Sequence, residues 1–458
     1  MKIEDLFKRY ESIIPDFDLF MEYARKPLTK SFRLNTLKAR REEILDLLRD
    51  IAIKPLPFYD DGFYLEDKIS IGNTASHSLG LIYAQEPASM VPVLVLDPKP
   101  GETVLDLCAA PGSKTTQIAQ IMQNSGLVVA NEVNRQRISG LVSNSKRCGL
   151  INEVITSKPG EKIGQFAPEY FDRVLIDAPC STEGTIRRSK AVLFHWGLKN
   201  IQKMARLQKG LAVSGYRSLK PGGIMVYSTC TIAPEENEAV ISYLLEKLPD
   251  AQVLPIEIPN FKIRPGIRKW QNQVFGEVAE KCCRILPQDN NTAPFFIAKI
   301  FKPGKTSCDT NRTSKIPQKS NIIESLVRRF NIDPSQFKGH AIFQEQDTYY
   351  ISTPEVYAFE PIKAIRKGLE LGKVYDQELK PDNDFVQIFG RQAKRNSYEM
   401  TQWQLKKFLS NEKIEINVSS EISQGFIIVT HNNLPIGIGR YNGKDLKPTI
   451  KMDRRITS

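Results

Sequence analysis

Residues 103–114 read TVLDLCAAPGSK, and the fold expected for this chain follows from them. The apolar run Thr103–Leu107 predicts a buried strand, and the segment TTQIAQIMQ after Lys114 has the apolar period of a helix. Between them, the small residues of Cys108–Lys114 form a tight turn where a ligand can approach the backbone. A Walker phosphate loop is excluded, because no upstream glycine stands in register. The turn indicates either a nucleoside site or a plain packing device.

Further strands follow this unit and alternate with helical segments. Apolar β-rich runs occur at 127–130 (LVVA), 171–177 (FDRVLID) and 224–227 (IMVY), and a helical apolar period extends over 199–219. This alternation predicts an α/β fold, a parallel sheet with helices on both faces. Glu132 follows the run at 127–130, 26 residues after Asp106, where an acidic side chain would bind ribose hydroxyls.

The composition excludes several classes of protein. The 458 residues are 41% hydrophobic and 25% charged, which fits a globular chain of two to four domains. No apolar stretch reaches the about 18 residues of a membrane helix, and the charged N-terminus MKIEDLFKRYESI lacks the apolar core of a secretion signal. We therefore expect a cytoplasmic protein without a membrane partner.

The cysteines and histidines do not have the spacing of a metal site. Seven cysteines include no CxxC pair, and four histidines give no zinc-ligand pattern, so no metal is expected. An odd number of cysteines also disfavours a disulfide framework. The thiols are therefore either buried small side chains or reactive groups.

A polar segment at 302–320, KPGKTSCDTNRTSKIPQKS, predicts a linker. It separates an α/β domain at 71–301, preceded by a mixed α+β region at 1–70, from a small domain at 321–458. In this last domain, runs such as GFIIVT (425–430) and an Asn-Gly turn at 442–443 predict β-structure. The net charge of +12 divides into +6 over 303–458 and +6 over the twice longer 1–302. The denser charge hints at a nucleic-acid partner for the C-terminal domain.

Two cysteines follow predicted strands directly. Asp177-Ala178-Pro179-Cys180-Ser181 begins at the end of the run 171–177, and Ser228-Thr229-Cys230-Thr231 follows the run 224–227. Because consecutive parallel strands share one ligand-binding edge, both cysteines should face the crevice beside the turn 108–114. Inert thiols are the alternative. The polar surroundings, with Lys114 available and a helix predicted to begin at Pro234, favour a nucleophile.

Four motifs carry a resemblance to a known family. They are DLCAAPGSK (106–114), DAPCS (177–181), STCT (228–231) followed by PEENE (234–238), and FRLNTLK (32–38). Together they resemble the Nop/Sun family of S-adenosylmethionine-dependent RNA cytosine-C5 methyltransferases. The remainder resembles the bacterial branch that acts on small-subunit ribosomal RNA and ends in a PUA-like RNA-binding domain. The resemblance implies a Rossmann-like class I methyltransferase sheet, S-adenosylmethionine as cofactor, an RNA partner and an RNA-binding N-terminal region.

The resemblance also implies a role for each matching residue. Cys230 adds to carbon 6 of a flipped cytosine, Cys180 assists loss of the carbon-5 proton and release of Cys230, and Asp177 hydrogen-bonds the pyrimidine. DNA cytosine methyltransferases use the Pro-Cys cysteine as nucleophile instead, so the Thr-Cys cysteine favours RNA. The implied cofactor contacts are Cys108, Ala109, Ala110, Pro111, Gly112, Ser113, Lys114, Glu132, Arg137 and Asp177.

The sequence departs from the family pattern at two positions. Members usually have an Asp about eighteen residues before the Asp-Ala-Pro-Cys motif to contact adenine, whereas here Pro159 falls at that position. Either Glu161 substitutes, or backbone and packing hold the adenine. Thr182 stands where the motif normally has Gly.

The sequence leaves the class of RNA substrate open. Small-subunit ribosomal RNA is the main expectation and tRNA the alternative, because substrate choice lies in the flanking domains. A third possibility is a non-catalytic RNA-binding assembly factor, which the missing Asp favours and the two cysteines oppose. A monomer is expected.

Several other residues have simpler interpretations. His195 and Trp196 are expected to pack in the interior, and Cys282-Cys283 to be a buried strand pair. The run Arg187–Lys190 predicts either a solvated face or a phosphate contact. Candidates for contacts to the RNA backbone are Arg391, Lys394, Arg395, Lys444, Lys447, Arg454 and Arg455.

Overall fold

The N-terminal region forms an antiparallel sheet with short helices around it. A computed structural model describes residues 3–189, 192–305, 316–317, 320–375 and 378–450. The region comprises α1 (Ile3–Phe7), α2 (Phe17–Arg25), β1 (Ser31–Leu34), α3 (Arg41–Leu47), β2 (Ile53–Leu56), β3 (Tyr59–Leu65), α4 (Ala75–Ser78) and β4 (Ile82–Ala84). The strand order is β2-β3-β1-β4, so the FRLNTLK segment supplies an inner strand of this sheet.

The central region alternates strands and helices. It comprises α5 (Pro87–Leu96), β5 (Thr103–Asp106), α6 (Ser113–Ile121), β6 (Leu127–Asn131), α7 (Arg135–Cys148), β7 (Glu153–Thr156), α8 (Ile163–Phe166), β8 (Phe171–Asp177), α9 (Val192–His195), α10 (Leu198–Ser218), β9 (Leu219–Thr229), α11 (Glu238–Lys247), β10 (Gln252–Leu254), β11 (Arg264–Pro265), β12 (Lys269–Trp270), β13 (Gln273–Val274), β14 (Cys283–Ile285), α12 (Pro287–Asn290) and β15 (Phe295–Phe301). The carboxyl ends of its parallel strands form the edge that carries the predicted site.

The C-terminal region contains two further sheets and short helices. It comprises α13 (Ser320–Phe330), β16 (Ala341–Glu345), β17 (Thr348–Ser352), α14 (Pro354–Tyr357), β18 (Ala364–Lys367), β19 (Leu369–Tyr375), β20 (Glu378–Pro381), α15 (Asn383–Phe389), β21 (Ser397–Glu399), α16 (Gln402–Leu409), β22 (Ile414–Glu415), β23 (Gly425–His431), β24 (Leu434–Tyr441) and β25 (Asp445–Pro448). The sheets have the orders β16-β17-β19-β20 and β21-β23-β24-β25-β22. Most of the linker expected at 302–320 lies outside the described residues.

The central sheet is mixed, with a parallel core. Its order is β18-β7-β6-β5-β8-β9-β15-β14-β11, and β10 also pairs with β15. The strands from β7 to β9 in this order are parallel, whereas β15 runs antiparallel to β9 and β18 antiparallel to β7. The expectation of a Rossmann-like α/β fold is confirmed. The wholly parallel sheet is wrong, because antiparallel strands extend it at both edges.

Alternating side chains of β5 show why helices cover both faces. Val104 packs with the apolar residues of α5 and α6, and Leu105 packs with those of α10 and α11 on the other face. Both side chains are completely buried. The apolar period predicted over 199–219 is the buried stripe of α10. No described helix is long and apolar enough to cross a membrane.

One predicted helix begins later than expected. Residues 234–237 form a turn and α11 starts at Glu238, so the helix predicted to begin at Pro234 is wrong in its start. The physical reason is that Glu236 turns back to accept hydrogen bonds from the backbone amide of Ser181 and the side chain of Gln208. The N-terminus of α11 still lies beside the Cys230 loop, because the side chain of Asn237 accepts from Thr229 Oγ1 and donates to the carbonyl of Thr231.

Candidate active site at the carboxyl edge of the central sheet

The turn after β5 has an unusual backbone conformation. Gly112 adopts a left-handed conformation, with φ of 104°, and a Cβ there would lie 3.1 Å from Leu141 Cδ1. The amide of Gly112 donates to the carbonyl of Ala109 at 2.8 Å, and the Ala110-Pro111 peptide bond is cis. A side chain at Gly112 would be strained in this conformation, so the turn favours glycine there.

A buried carboxylate faces this turn from β6. Glu132 is almost completely buried, and its Oε1 accepts from the amide of Asn134 at 2.8 Å. Its Oε2 lies 3.2 Å from Arg137 Nη1, an ion-pair distance, but no hydrogen bond is formed there. Arg137 also donates to the carbonyl of Ala110. Glu132 therefore keeps a buried acceptor oxygen beside the turn, which fits a ligand that presents hydroxyl groups.

Asp106, at the end of β5, is a second buried carboxylate. Its Oδ2 accepts from Thr115 Oγ1 at 2.7 Å, and its Oδ1 has no hydrogen-bond partner. Burial raises the pKa of Asp106 to about 7, and the hydrogen bond from Thr115 opposes that shift. Burial likewise raises the pKa of the Cys108 thiol well above its ordinary value, so Cys108 is a neutral wall of the site rather than a nucleophile.

Lys114 and Asp177 form an ion pair across the crevice. Lys114 Nζ lies 2.6 Å from Asp177 Oδ2 and 2.8 Å from Ser89 Oγ. Ser228 Oγ, at the end of β9, donates to Asp177 Oδ1 at 2.9 Å. The Asp177 side chain is 31% exposed and Lys114 only 5%, so the carboxylate is the partner that a ligand can reach.

The two cysteines predicted to share this edge are in direct contact. The distance between Cys180 Sγ and Cys230 Sγ is 3.2 Å, and both residues are partly exposed. The contact with Cys230, together with burial, raises the pKa of Cys180 well above its ordinary value. Cys180 is therefore the thiol that retains its proton, and it can donate that proton toward the sulfur of Cys230.

Two buried glutamates that the sequence did not single out hold the cysteine loops. Glu183 accepts from Tyr10 Oη, Trp196 Nε1, Thr231 Oγ1 and the amide of Ile232, at 2.6–3.1 Å. Glu236 binds the amide of Ser181, and burial raises the pKa of Glu236 to about 7. The only sequence signal for these roles is their position beside each cysteine motif.

Thr182 and Pro159 mark the departures from the family pattern. Thr182 has a φ of 59°, in the left-handed region, which explains why glycine is usual there. Pro159 precedes a short 3-10 helix, and Glu161 within it is exposed, with its Cγ 3.0 Å from the position of a Cβ on Gly210 of α10. Asn131 joins this segment to the site by accepting from the amide of Lys158 at 3.0 Å.

The segment 187–196 is described in part by the structure. Trp196 packs in an apolar cluster as expected, whereas only the backbone of His195 is described. Arg187 is buried and donates to the carbonyls of Lys26, Pro27 and Thr292, so this member of the basic run is neither solvated nor a phosphate ligand. Lys190, Arg454 and Arg455 lie outside the described residues.

The structure also describes Cys282, Cys283 and Arg391. Cys282 and Cys283 are buried, as predicted. Arg391 forms a two-pronged ion pair with Glu43 of α3, so it connects the two ends of the chain rather than facing an RNA backbone. In the described ranges, no cluster of three or more His, Cys, Asp or Glu side chains is arranged to hold a metal ion.

Known proteins share both the site-bearing region and the regions around it. The family described as 16S rRNA methyltransferase RsmB/F matches residues 93–301, and the N-terminal domain of 16S rRNA methyltransferase RsmF matches residues 4–87. The ribosomal RNA small subunit methyltransferase F of Photobacterium profundum is 32% identical, over 97% of this chain and 95% of that protein. The chain belongs to the RsmB/F methyltransferase family.

Other relatives match a shorter part of the chain. The tRNA (cytosine(49)-C(5))-methyltransferase of Pyrococcus abyssi is 43% identical, over 65% of this chain and 96% of that protein. A crystal structure of a methyltransferase homologue from Pyrococcus horikoshii is 37% identical with a TM-score of 0.57, over 65% of this chain and 94% of that one. Family membership confirms the prediction of an RNA cytosine-C5 methyltransferase that uses S-adenosylmethionine.

Proposed function

We propose that Cys230 is the nucleophile that adds to carbon 6 of a cytosine in small-subunit ribosomal RNA, so that carbon 5 can be methylated. The observation that carries this assignment is the 3.2 Å contact between Cys180 Sγ and Cys230 Sγ at the ends of adjacent parallel strands. Neither sulfur belongs to a disulfide or to a cluster of described side chains that could hold a metal ion. Because their surroundings differ, Cys180 is proposed to hold its proton and Cys230 to attack.

The residues of the turn and of β6 fit the proposed cofactor. The small residues of the loop Cys108–Lys114 would let a ligand approach the backbone, and Glu132 offers the buried acceptor that ribose hydroxyls need. Arg137 orients Glu132, and Asp177 borders the same crevice. When bound, S-adenosylmethionine supplies an electrophilic methyl group. Without an Asp at Pro159, the adenine is held by backbone and packing, since Glu161 lies against α10.

Cys230 provides the electrons for the reaction. Its thiolate forms a bond to carbon 6 of the cytosine, and the electron pair of the carbon 5–carbon 6 double bond moves so that carbon 5 becomes nucleophilic. Asp177 accepts a hydrogen bond at the pyrimidine edge and thereby orients the ring. The base must leave any helical stack to reach Cys230, so a flipped or single-stranded cytosine is the substrate.

Cys180 completes the cycle. After carbon 5 is methylated, the proton on carbon 5 is lost to solvent with the assistance of Cys180, and the electron pair of that C–H bond reforms the double bond. The bond between carbon 6 and Cys230 breaks, and its electron pair returns to the sulfur. The departing Cys230 thiolate lies next to the protonated Cys180 sulfur, which stabilises it through an S–H···S contact. This return of the thiolate regenerates the starting enzyme.

The length of the matches supports ribosomal RNA over tRNA. The ribosomal RNA relative aligns with nearly the whole chain, whereas the tRNA relative is almost fully covered by an alignment of 301 residues. About a third of this chain thus lies outside the alignment with the tRNA relative. The higher identity of the tRNA enzyme, 43% against 32%, keeps tRNA as the second candidate.

The C-terminal region, residues 321–458, is proposed to be a PUA-like RNA-binding domain. A cleft of about 410 Å³ in it is lined by Arg328, Arg329 and Arg395, with Glu378 the acidic residue of the lining. Arg329 is held by Phe426 and Ser423, whereas the side chains of Arg328 and Arg395 face the cleft. An excess of positive charge in a cleft attracts phosphate groups.

The remaining proposals concern the chain as a whole. Residues 1–70 are proposed to form an RNA-binding region and 71–301 the methyltransferase domain, joined by a linker at 302–320 to the PUA-like domain. The enzyme is proposed to act as a cytoplasmic monomer.

The decisive experiment supplies purified enzyme with radiolabelled S-adenosylmethionine and separate pools of 16S rRNA, small ribosomal subunits and tRNA. Label in 16S rRNA or the subunit, located by bisulfite sequencing, is the expected result. Label confined to tRNA would transfer the proposal to the second candidate.

A further inference from the structure

A buried arginine of the N-terminal sheet contacts the helix that carries the proposed cofactor loop. Arg33, in β1, has no exposed surface. Its Nη1 donates to Gln120 Oε1 at 2.5 Å, and its Nη2 donates to Thr116 Oγ1 and, at 3.3 Å, to the carbonyl of Ser113. All three acceptors belong to α6. The planar fork of the guanidinium therefore fixes the first two turns of this helix against β1.

The hydrogen-bond donors of Arg33 are satisfied by neutral acceptors. Burial lowers its pKa. The carboxyl of Asp61 interacts with it electrostatically and accepts a hydrogen bond from Gln120, a side chain to which Arg33 also donates. The guanidinium carbon also lies 5.1 Å from the centre of the Tyr83 ring. A buried charge is expensive and needs every donor satisfied. This requirement restricts α6 to one position relative to the N-terminal sheet.

A second route runs from Arg33 to the catalytic edge. Arg33 Nε donates to Gln85 Oε1 at 2.9 Å, and Gln85 Nε2 donates to Gln117 of α6 and to the carbonyl of Ser89. The hydroxyl of Ser89 then accepts from Lys114 Nζ at 2.8 Å. Lys114 in turn pairs with Asp177. Hydrogen bonds join successive residues of this series, and Ser89 accepts through its carbonyl on one side and through its hydroxyl on the other.

We propose that Arg33 is a positioning residue for S-adenosylmethionine. Arg33 fixes the N-terminal turn of α6, which begins at Ser113 near the end of the cofactor loop. Through Gln85 and Ser89 it also orients Lys114. The inference depends on the proposed placement of the cofactor on Cys108–Lys114. Arg33 does not touch the reacting atoms, so its loss should affect cofactor affinity more than the chemical step at saturation.

The test compares Arg33→Met with Arg33→Lys and with Arg173→Met. Arg173 is the matched control, because it is also largely buried and donates to Glu102 and to the carbonyl of Leu96, at the opposite edge of the sheet. Affinity for S-adenosylmethionine is measured by titration calorimetry, and KM for cofactor and RNA by methyl transfer. Arg33→Met should raise both Kd and KM for the cofactor at least tenfold while changing KM for RNA less than twofold.

The conservative variant and the control make the outcome decisive. Arg33→Lys should recover part of the cofactor affinity, and Arg173→Met should lower Tm without changing that affinity. Equal losses of Tm in both Met variants, with cofactor Kd unchanged in Arg33→Met, would overturn the proposal. If Arg33→Met does not fold, Gln85→Leu, which removes the acceptor of Arg33 Nε, is measured against the same thresholds.

Gly112→Ala separates this inference from the placement of the cofactor. A Cβ at Gly112 strains the loop directly, so this variant should lose cofactor affinity whatever Arg33 does. Unchanged affinity in Gly112→Ala would contradict the loop placement itself. Lost affinity there, with full affinity in Arg33→Met, would remove only the role of Arg33.

Discussion

At the residue scale, the two sulfur atoms at the ends of β8 and β9 have unequal surroundings. Cys180 contacts Cys230 on one side and lies near the buried carboxyl of Glu236 on the other, and both raise its pKa. Cys180 is thus suited to hold a proton beside the proposed nucleophile Cys230. The division of labour follows from the neighbours of each thiol rather than from the thiols themselves.

Substitution of each cysteine should give different products. Cys230→Ala should abolish methylation, because no sulfur remains to add to carbon 6. Cys180→Ala should leave addition intact and slow release, so a covalent protein–RNA adduct should accumulate as a shifted band on a denaturing gel. The double variant is the control. An adduct that persists in the double variant, or measurable turnover in Cys230→Ala, would contradict the assignment.

The carboxyl of Glu236 should make stability depend on pH. Its pKa is about 7 in the folded chain against an ordinary 4.5, so the folded state holds its proton more tightly than the unfolded state. Stability should therefore fall as pH rises from about 4.5 through about 7, by as much as about 3 kcal/mol for a group this buried.

The measurement is the free energy of unfolding in denaturant at pH 5 and pH 8, for the wild type and Glu236→Gln. The loss of stability between these pH values should be smaller in the variant. Some loss remains, because burial shifts the pKa of Asp106 in the same direction. An identical loss in both proteins would show that Glu236 is ionised throughout.

At the element scale, one carboxylate holds several segments around the cysteine loops. Glu183 joins Tyr10 near the N-terminus, Trp196 before α10, and the segment 231–232 after β9. The backbone amide of Gly184 also donates to the carbonyl of Cys230 at 2.8 Å. The position of Cys230 relative to Cys180 therefore depends on the element that carries Glu183.

Glu183→Gln should disturb this arrangement. The amide NH₂ of glutamine would face donors that need an acceptor, and each unsatisfied buried group costs about 1–3 kcal/mol. We expect kcat to fall at least tenfold while cofactor affinity stays within twofold. Glu169→Gln is the control, because Glu169 pairs with Lys302 at a largely exposed position. Unchanged kcat in Glu183→Gln would argue against a role in placing Cys230.

The elements near the site show what sequence can predict. Cys180, Cys230 and Asp177 were placed together because parallel strand ends share an edge, and this rule needs only the strand pattern. The roles of Glu183, Glu236 and Arg33 were not predicted, because their partners lie up to 173 residues away in the chain. The start of α11 was wrong for the same reason, since a distant contact of Glu236 replaced the local helix.

At the scale of the whole molecule, the two ends of the chain form one core. Phe32, Leu34 and Ile44 of the N-terminal region pack with Phe408 and Leu446 of the C-terminal region. Lys38 Nζ, buried between them, donates to the side chain of Gln387 at 2.5 Å and to the carbonyl of Leu79 at 2.9 Å. The β18 strand also extends the central sheet. Deletion of residues 320–458 would therefore destabilise the catalytic region as well as remove the proposed RNA-binding cleft.

Substitutions in the arginine cleft test RNA binding without this damage. Arg328→Glu/Arg395→Glu should weaken binding to 16S rRNA and reduce the slope of log affinity against log salt by about 1.4–1.8, the share of two phosphate contacts. Arg206→Glu/Arg217→Glu is the charge-matched control, because both are exposed arginines of α10. A cleft variant whose salt slope equals that of the control would remove the cleft from the RNA-binding surface.

The shared core of the two chain ends has a consequence for biosynthesis. The apolar side of the β1–β4 sheet leaves the ribosome early, but its partners on α16 and β25 are made last. At about 5–20 residues per second, the roughly 360 intervening residues impose a delay of about 20–70 s. During this interval the nascent sheet exposes a surface that other chains can bind, so chaperone capture of the growing polypeptide should concentrate on its first hundred or so residues.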